Sequence, residues 1–176
     1  MKNKRNIFSL IAVFALSVFF VSCSEKQSTS VMTQTTSGTI YFVRHAQKEK
    51  GGDDPSLTME GNKRAQELAV YLKDLGIEAV YATQSLRANN TAQPMAASIN
   101  TEVLIYDKKN TQALMEVLLK RGGNHLVVGH WDTANNAYKY FGEDASYDTQ
   151  KANDSNNILK LSYKENKVVE AVLLPY

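Results

Sequence analysis

Short apolar segments alternate along the chain with longer segments in which apolar residues recur every three or four positions. The first pattern is typical of buried β-strands and the second of amphipathic α-helices. Strands are predicted at 39–44, 78–83, 102–106, 125–128, 157–163 and 167–174. Helices are predicted after Thr58, after Arg87, before Gly122 and over 133–141. This order predicts an α/β fold, a three-layer sandwich with a mostly parallel central sheet, helices on both faces and a C-terminal β-hairpin.

The helix boundaries and apolar faces come from individual residues. Thr58 is a typical N-cap for the first helix, and Gly76 is expected to close it. Its predicted core face carries Ala65, Leu68, Ala69, Leu72 and Leu75. The second helix presents Ala92, Met95, Ala96 and Ile99, and the third presents Leu114, Val117 and Leu118. A hairpin turn is predicted at 164–166 and an irregular polar segment at 143–156.

Cationic or titratable side chains follow three of the predicted strands. Arg44 and His45 follow the first strand, Arg87 the second and His130 the fourth. The carboxyl ends of parallel strands meet at one edge of a sheet, where ligands bind in open α/β folds. Guanidinium groups match phosphate oxygens, and a neutral imidazole can attack phosphorus. We interpret these residues as a phosphoryl-transfer site; the alternative is unrelated polar residues at loop starts.

The N-terminal segment has the layout of a secretory signal. The basic residues Lys2, Lys4 and Arg5 precede an apolar stretch over 7–21. Ser22-Cys23 follows this stretch directly. This ending resembles a bacterial lipobox, and the resemblance implies cleavage before Cys23 and lipidation of that residue. The alternative is an uncleaved signal anchor, although the apolar stretch is shorter than the ~20 residues of a spanning helix.

The segments of the chain are predicted accordingly. Residues 1–22 form a lipoprotein signal peptide, 23–37 a flexible polar tether and 38–176 the folded domain. The expected location is the cell envelope, with the membrane reached through the lipid anchor. Without the three basic residues of the signal, the chain has 17 basic and 18 acidic residues. This balance excludes a general electrostatic footprint for nucleic acid.

Four groups of residues resemble motifs of the histidine phosphatase superfamily, whose fold is phosphoglycerate mutase-like, and especially its small SixA-like members. They are 43–48, 54–61 with Arg64-Ala65, 80–83 with Arg87 and Thr91-Ala92, and 127–130. The resemblance implies that His45 is the nucleophile and forms a phosphohistidine. It implies that Arg44 and Arg87 hold the phosphate and that His130 stabilises the transferring group. It also implies an open pocket, no cofactor and no metal.

Some positions depart from the family pattern. Gln47 replaces the usual Glu and, with Thr83, is predicted to contact substrate. Trp131 and Asp132 place bulk and a negative charge near the phosphate. The family's acid corresponds here to Asp107, which we predict as the proton donor; the alternative is a solvated loop carboxylate.

Other residues are given structural roles. His125 is predicted at the surface or a sheet edge, Tyr138, Tyr140 and Phe141 in packing, and Glu60 in the first turn of a helix. Lys108 and Lys109 could meet an anionic substrate, but paired lysines in a loop are usually solvated, and we interpret them as solvated charges.

The sequence therefore predicts an exported, lipid-anchored phosphatase, expected to be monomeric, that hydrolyses phosphorylated small molecules through a phosphohistidine. Two alternatives remain open. One is a binding module on a catalytically inactive phosphatase fold, and the other is a mutase.

Overall fold

The computed structural model describes residues 36–142, 154 and 156–176. The strands are β1 (Ser37–Arg44), β2 (Ile77–Thr83), β3 (Val103–Tyr106), β4 (Gly123–Gly129), β5 (Asn157–Lys164) and β6 (Lys167–Pro175). The helices are α1 (Met59–Leu72), α2 (Leu86–Ser98), α3 (Thr111–Arg121) and α4 (Thr133–Lys139). The predicted signal peptide, Cys23, nearly all of the tether and most of 143–156 lie outside the described residues. Within the described part, no helix is long and apolar enough to cross a membrane.

The six strands form one sheet in the order β3-β2-β4-β1-β5-β6. Strands β1 to β4 are mutually parallel where they pair, whereas β5 runs antiparallel to β1 and β6 antiparallel to β5. The predicted mostly parallel sheet with a C-terminal hairpin is confirmed. Its two central strands are β4 and β1, so the residues that follow them lie in the middle of the sheet edge.

Alternate residues of β1 pack against two different helical layers. Ile40 and Phe42 join a cluster that contains apolar residues of α3 and α4. Tyr41 and Val43 join a second cluster, which contains residues of α1 and α2. Since neighbouring side chains of a strand point to opposite faces, helices cover both faces of the sheet. The three-layer prediction is confirmed.

Helix α1 begins as predicted. The Thr58 hydroxyl accepts a hydrogen bond from the Gly61 amide at 3.0 Å, which satisfies one of the unpaired donors of the first turn. Glu60 lies in that turn, where the helix dipole favours an acidic side chain. The helix ends at Leu72, earlier than Leu75, which is partly buried beyond the last turn.

The prediction that His125 lies at the surface or an edge is wrong. Its side chain is fully buried, and its Nε2 lies 2.7 Å from the carbonyl oxygen of Gly122. The reason is the strand order: β4 pairs with β1 on one side and β2 on the other, and helices cover both faces. The ring packs edge-on against Tyr81, with ring centroids 5.8 Å apart.

Two packing predictions on the helices also need correction. Val117 is 52% exposed, whereas Met115 and Leu119 of the same helix are buried. Tyr138 is buried as predicted, but Tyr140 is exposed. Phe141 packs partly buried against the core, in agreement with the prediction.

The C-terminal hairpin turns at Glu165 and Asn166. Both residues have positive φ, 52° and 60°, the conformation that a tight two-residue hairpin turn requires. The predicted hairpin is confirmed.

Candidate active site

Parallel pairing of β1 with β4 brings two histidines together. Arg44 lies opposite Gly129 in the strand register, and His45 and His130 follow directly. The His45 amide also donates a hydrogen bond to the Gly129 carbonyl at 3.0 Å. The two imidazole rings therefore lie 5.5 Å apart, centroid to centroid, at an interplanar angle of 70°.

The histidines line a cavity of about 800 Å³ at the carboxyl edge of the sheet. Its wall is formed by Arg44, His45, Lys48, Arg87, Lys108, Lys109, Thr111, Gln112, His130, Trp131, Asp132 and Asn136. The structure thus brings together four of the residues predicted from the sequence. A smaller cavity of about 390 Å³ lies beside it and shares Lys108 and His130.

The surroundings of His45 fix its protonation. Its Nδ1 lies 2.9 Å from the Ala46 carbonyl oxygen. A carbonyl can only accept, so Nδ1 carries the hydrogen and Nε2 has the free lone pair. Burial, with a smaller contribution from the positive charges of Arg87 and Arg44, lowers the pKa of His45 from 6.5 to about 4, although the Ala46 hydrogen bond acts in the opposite direction. At neutral pH this imidazole is therefore uncharged.

His130 is held at two points. Its Nε2 lies 3.0 Å from the Thr83 hydroxyl, and its backbone amide donates to the Thr133 hydroxyl at 2.9 Å. Burial lowers the pKa of His130, and the charges of Arg87 and Lys108 act in the same direction. Thr83 lines the smaller cavity, and its hydroxyl contacts the Ser85 hydroxyl at 3.2 Å as well as the His130 ring.

Gly129 is required by the turn from β4 into α4. A β-carbon at this position would overlap the Thr133 side chain and approach the Tyr106 hydroxyl. The absence of a side chain lets Thr133 reach the His130 amide. The Gly-His order at the end of β4 therefore has a steric cause.

Arg87 lies in the first turn of α2, not in a turn before it as predicted, and is paired with an acid from a distant loop. Its Nη1 lies 3.2 Å from Asp54 Oδ1. The same carboxylate accepts hydrogen bonds from the Leu86 amide at 3.1 and 3.0 Å. Ser85, the residue at the N-cap position, makes no side-chain capping bond. Asp54 therefore caps α2 and holds Arg87 at once, a role that the sequence analysis missed.

The loop that carries Asp54 is closed at its base. Lys48 forms an isolated antiparallel bridge with Leu57, and the Glu49 amide donates to the Ser56 carbonyl at 2.9 Å. Gly51 has φ of 82°, a conformation that glycine adopts without strain. The closed base limits where Asp54 can lie.

Thr91 joins the loop after His45 to the helix that carries Arg87. Its hydroxyl accepts a hydrogen bond from the Ala46 amide at 3.0 Å and donates to the Arg87 carbonyl at 2.7 Å. The side chain is fully buried, so no water competes for these bonds. The loop after His45 and the helix of Arg87 are thus fixed to each other.

Three residues predicted for the site, Thr83, Asp107 and Gln47, lie outside the wall of the larger cavity. Asp107 lines the smaller one, and its Oδ1 accepts from the Lys109 amide at 2.9 Å. Gln47 lines neither of these cavities, and its buried Oε1 has no hydrogen-bond partner among the described residues. Asp132 supplies the carboxylate of the larger cavity.

The arrangement has the parts needed to accept a phosphoryl group. Two arginines can bind its oxygens, one uncharged imidazole can attack phosphorus, and a second imidazole lies beside it. Among the described residues, no cluster of His, Cys, Asp and Glu could hold a metal ion.

A model of the histidine phosphatase superfamily, branch 1, matches residues 40–119. A curated relative from Escherichia coli, named "Probable phosphoglycerate mutase GpmB", is 29% identical over 89 residues. The match covers 47% of this chain and 41% of the relative, so the chain spans about two fifths of that protein's length.

Solved structures show the same fold. The protein histidine phosphatase SixA complexed with tungstate aligns with a TM-score of 0.63 at 15% identity, covering 78% of this chain and 96% of that one. Phosphoserine phosphatase from Entamoeba histolytica, in complex with 3-phosphoglyceric acid, aligns with a TM-score of 0.58 at 16% identity, covering 77% and 94%. The predicted resemblance to the histidine phosphatase superfamily and the phosphoglycerate mutase-like fold are confirmed.

Proposed function

We propose that this chain hydrolyses phosphomonoesters through a phosphohistidine formed on His45. One observation carries the proposal: His45, buried with an uncharged ring and a free Nε2 lone pair, shares a cavity with His130, Arg44 and Arg87. Phosphoryl transfer asks a protein mainly for positioning and for neutralisation of charge. These four residues supply both, and the superfamily match over 40–119 supports the assignment.

The proposed reaction has two steps. His45 Nε2 attacks phosphorus, the P–O bond to the leaving group breaks, and the leaving oxygen takes a proton from an acid. Water then attacks the phosphohistidine, returns a proton to that acid, and releases phosphate with His45 restored. Arg44 and Arg87 bind the phosphoryl oxygens, and His130 stabilises their charge as transfer proceeds.

The proton donor in this scheme is Asp132. Its carboxylate lines the cavity of His45, whereas Asp107 lines the adjacent cavity and accepts a backbone hydrogen bond in its own turn. Asp107 remains the alternative, because the smaller cavity also reaches His130.

The test is hydrolysis of p-nitrophenyl phosphate by the purified full-length chain. The wild type should release phosphate, and enzyme quenched during turnover should carry an acid-labile, base-stable phosphate. His45→Ala should lose both signals while keeping its circular dichroism spectrum, whereas His130→Ala should turn over slowly and still form the adduct. Hydrolysis by His45→Ala at the wild-type rate would place the nucleophile elsewhere.

Two other activities predict different results, measured by phosphate binding and with phosphomonoesters that carry a second hydroxyl group. Phosphate binding without hydrolysis of any phosphomonoester would support the binding module. Transfer of the phosphoryl group to a second position of the substrate, without release of phosphate, would support a mutase.

We also propose that the chain is a lipoprotein of the cell envelope, anchored through Cys23. The support is the basic, apolar and Ser22-Cys23 order of the N-terminal segment. In cells grown with a clickable fatty acid, the wild-type protein should be labelled and the Cys23→Ala variant should not. Equal labelling of both would contradict the anchor.

A further inference from the structure

The cavity of His45 holds more positive charge than a single phosphate needs. Five cationic side chains line it, Arg44, Lys48, Arg87, Lys108 and Lys109, against the one carboxylate of Asp132. The two arginines suffice to bind the phosphoryl oxygens in the proposed reaction. The three lysines have no part in that step, so their presence in the same wall calls for another partner.

The lysines come from two separate loops. Lys48 lies at the base of the loop after β1, where it bridges to Leu57. Lys108 and Lys109 lie in the connection between β3 and α3. Among the described residues, no ion pair joins any of the three to a carboxylate. Their charges therefore face the cavity and solvent without an acidic partner from the described part of the chain.

The turn that presents Lys108 and Lys109 is ordered by hydrogen bonds. Asp107 Oδ1 accepts from the Lys109 amide at 2.9 Å, and the Asp107 carbonyl accepts from the Asn110 amide at 3.0 Å. Asn110 in turn caps α3, since its Oδ1 accepts from the Ala113 amide at 3.0 Å. The backbone of the two lysines is thus fixed at the start of a helix.

Lys108 lies within electrostatic reach of the reaction centre. Its positive charge contributes to the lowered pKa of His130, and its side chain lines both cavities beside that ring. The sequence analysis interpreted the lysine pair as solvated. The two side chains are indeed exposed, but they also line the cavity.

We propose that Lys48, Lys108 and Lys109 form a second anionic subsite, which binds a carboxylate or phosphate group on the leaving group of the substrate. The preferred substrates are then phosphomonoesters whose leaving group carries a second negative charge. The inference rests on the proposed function, because it assigns His45 to the phosphoryl group. A volume of about 800 Å³ lies within the ~300–1,000 Å³ usual for ligand sites and leaves room for such a leaving group.

The experiment compares two nearly isosteric esters, 4-carboxyphenyl phosphate and 4-carbamoylphenyl phosphate. They carry the same ring, so stacking on Trp131, which is 63% exposed in the cavity wall, is the same for both. The measured quantity is the ratio of their kcat/KM values with the full-length chain. We expect the carboxylate to be preferred about five- to tenfold at low salt and less at high salt, as for partly exposed charge pairs.

The variant Lys108→Gln with Lys109→Gln removes two of the charges and keeps side chains of similar length. In this variant the ratio should fall most of the way toward one, since only Lys48 of the three lysines remains. Lys63→Gln is the matched control, since Lys63 lies on α1 outside this cavity and pairs with Glu67. It should keep the wild-type ratio.

A wild-type ratio of one, or a ratio that survives the double substitution, would overturn the subsite while leaving the phosphatase proposal intact. Hydrolysis of neither ester would instead count against the proposed function. In that case calorimetric titration of both esters decides the subsite: tighter binding of the carboxylate, lost in the double variant, supports it, and equal binding overturns it.

Discussion

The Asp54 carboxylate and the Arg87 guanidinium form an ion pair 3.2 Å long between a loop and a helix that are 33 residues apart in sequence. Because the same carboxylate caps the helix, the position of the arginine depends on the loop. In the proposed reaction Asp54 is therefore a positioning residue, which acts on the bound phosphate through Arg87.

Asp54→Ala should raise KM for p-nitrophenyl phosphate about three- to tenfold, since it removes a partly exposed ion pair and a helix cap. Asp54→Asn should have a smaller effect, because the amide oxygen can still accept from Leu86. Asp53→Ala is the control, an exposed acid beside it in the same loop. A KM unchanged in Asp54→Ala, measured with steady-state kinetics, would show that Arg87 holds its position alone.

Arg87→Ala should lower kcat/KM by about ten- to a hundredfold, the loss expected when a charged hydrogen-bond partner of an anion is removed, about 1.5–3 kcal/mol. Circular dichroism should show that the domain remains folded. In combination with Asp54→Ala the two losses should not add, because Asp54 acts through Arg87. Strict additivity would contradict that coupling.

Asp132→Asn should slow hydrolysis of an alkyl phosphate far more than that of p-nitrophenyl phosphate, since a poor leaving group depends on protonation and nitrophenolate does not. Asp107→Asn should lower both rates by similar, smaller factors. The measurement is the dependence of kcat/KM on the pKa of the leaving group. The reverse pattern would restore Asp107 as the proton donor.

Acid should destabilise the protein through His45. Its folded-state pKa of about 4 lies below the usual 6.5, so between these values the unfolded state binds more protons and the free energy of unfolding falls as pH is lowered. From pH 7 to 4.5 the wild type should lose about 2 kcal/mol more than His45→Gln, in urea melts. Equal losses in both would mean that burial does not keep the ring uncharged.

The strand order explains which parts of the site could be predicted from sequence. His45 and His130 follow two apolar segments of one parallel sheet, and the carboxyl ends of such strands lie along the same edge of the sheet whatever the strand order. The direct contact of the two rings depends on the pairing of β1 with β4. The same reasoning fails for His125. Its burial depends on β4 being central, and the apolar pattern contains no information on that order.

The role of Asp54 was not predicted, and the preferred interpretation of the lysine pair missed its place in the cavity wall, for a different reason. The pairing of Asp54 with Arg87 depends on the path of a glycine-containing loop. Such a loop has no apolar periodicity from which its path could be predicted. Lys108 and Lys109 are exposed, as expected, yet their turn aims them at the cavity. The orientation of side chains in a loop depends on hydrogen bonds such as the one that Asp107 accepts from the Lys109 amide. Such hydrogen bonds form only in the folded chain and cannot be predicted from the sequence pattern.

The continuous ladder from Gly38–Gly123 to Arg44–Gly129 has a consequence for partial unfolding. Strand β6 lies at an outer edge of the sheet, and β5 separates it from β1, so fraying can begin at β6 while the pairing of β1 with β4 stays closed. The His45 amide, bonded to Gly129 at the end of this ladder, belongs to the innermost part of the sheet. The central pair of strands thus holds His45 and His130, and loss of β6 alone leaves that pair in place.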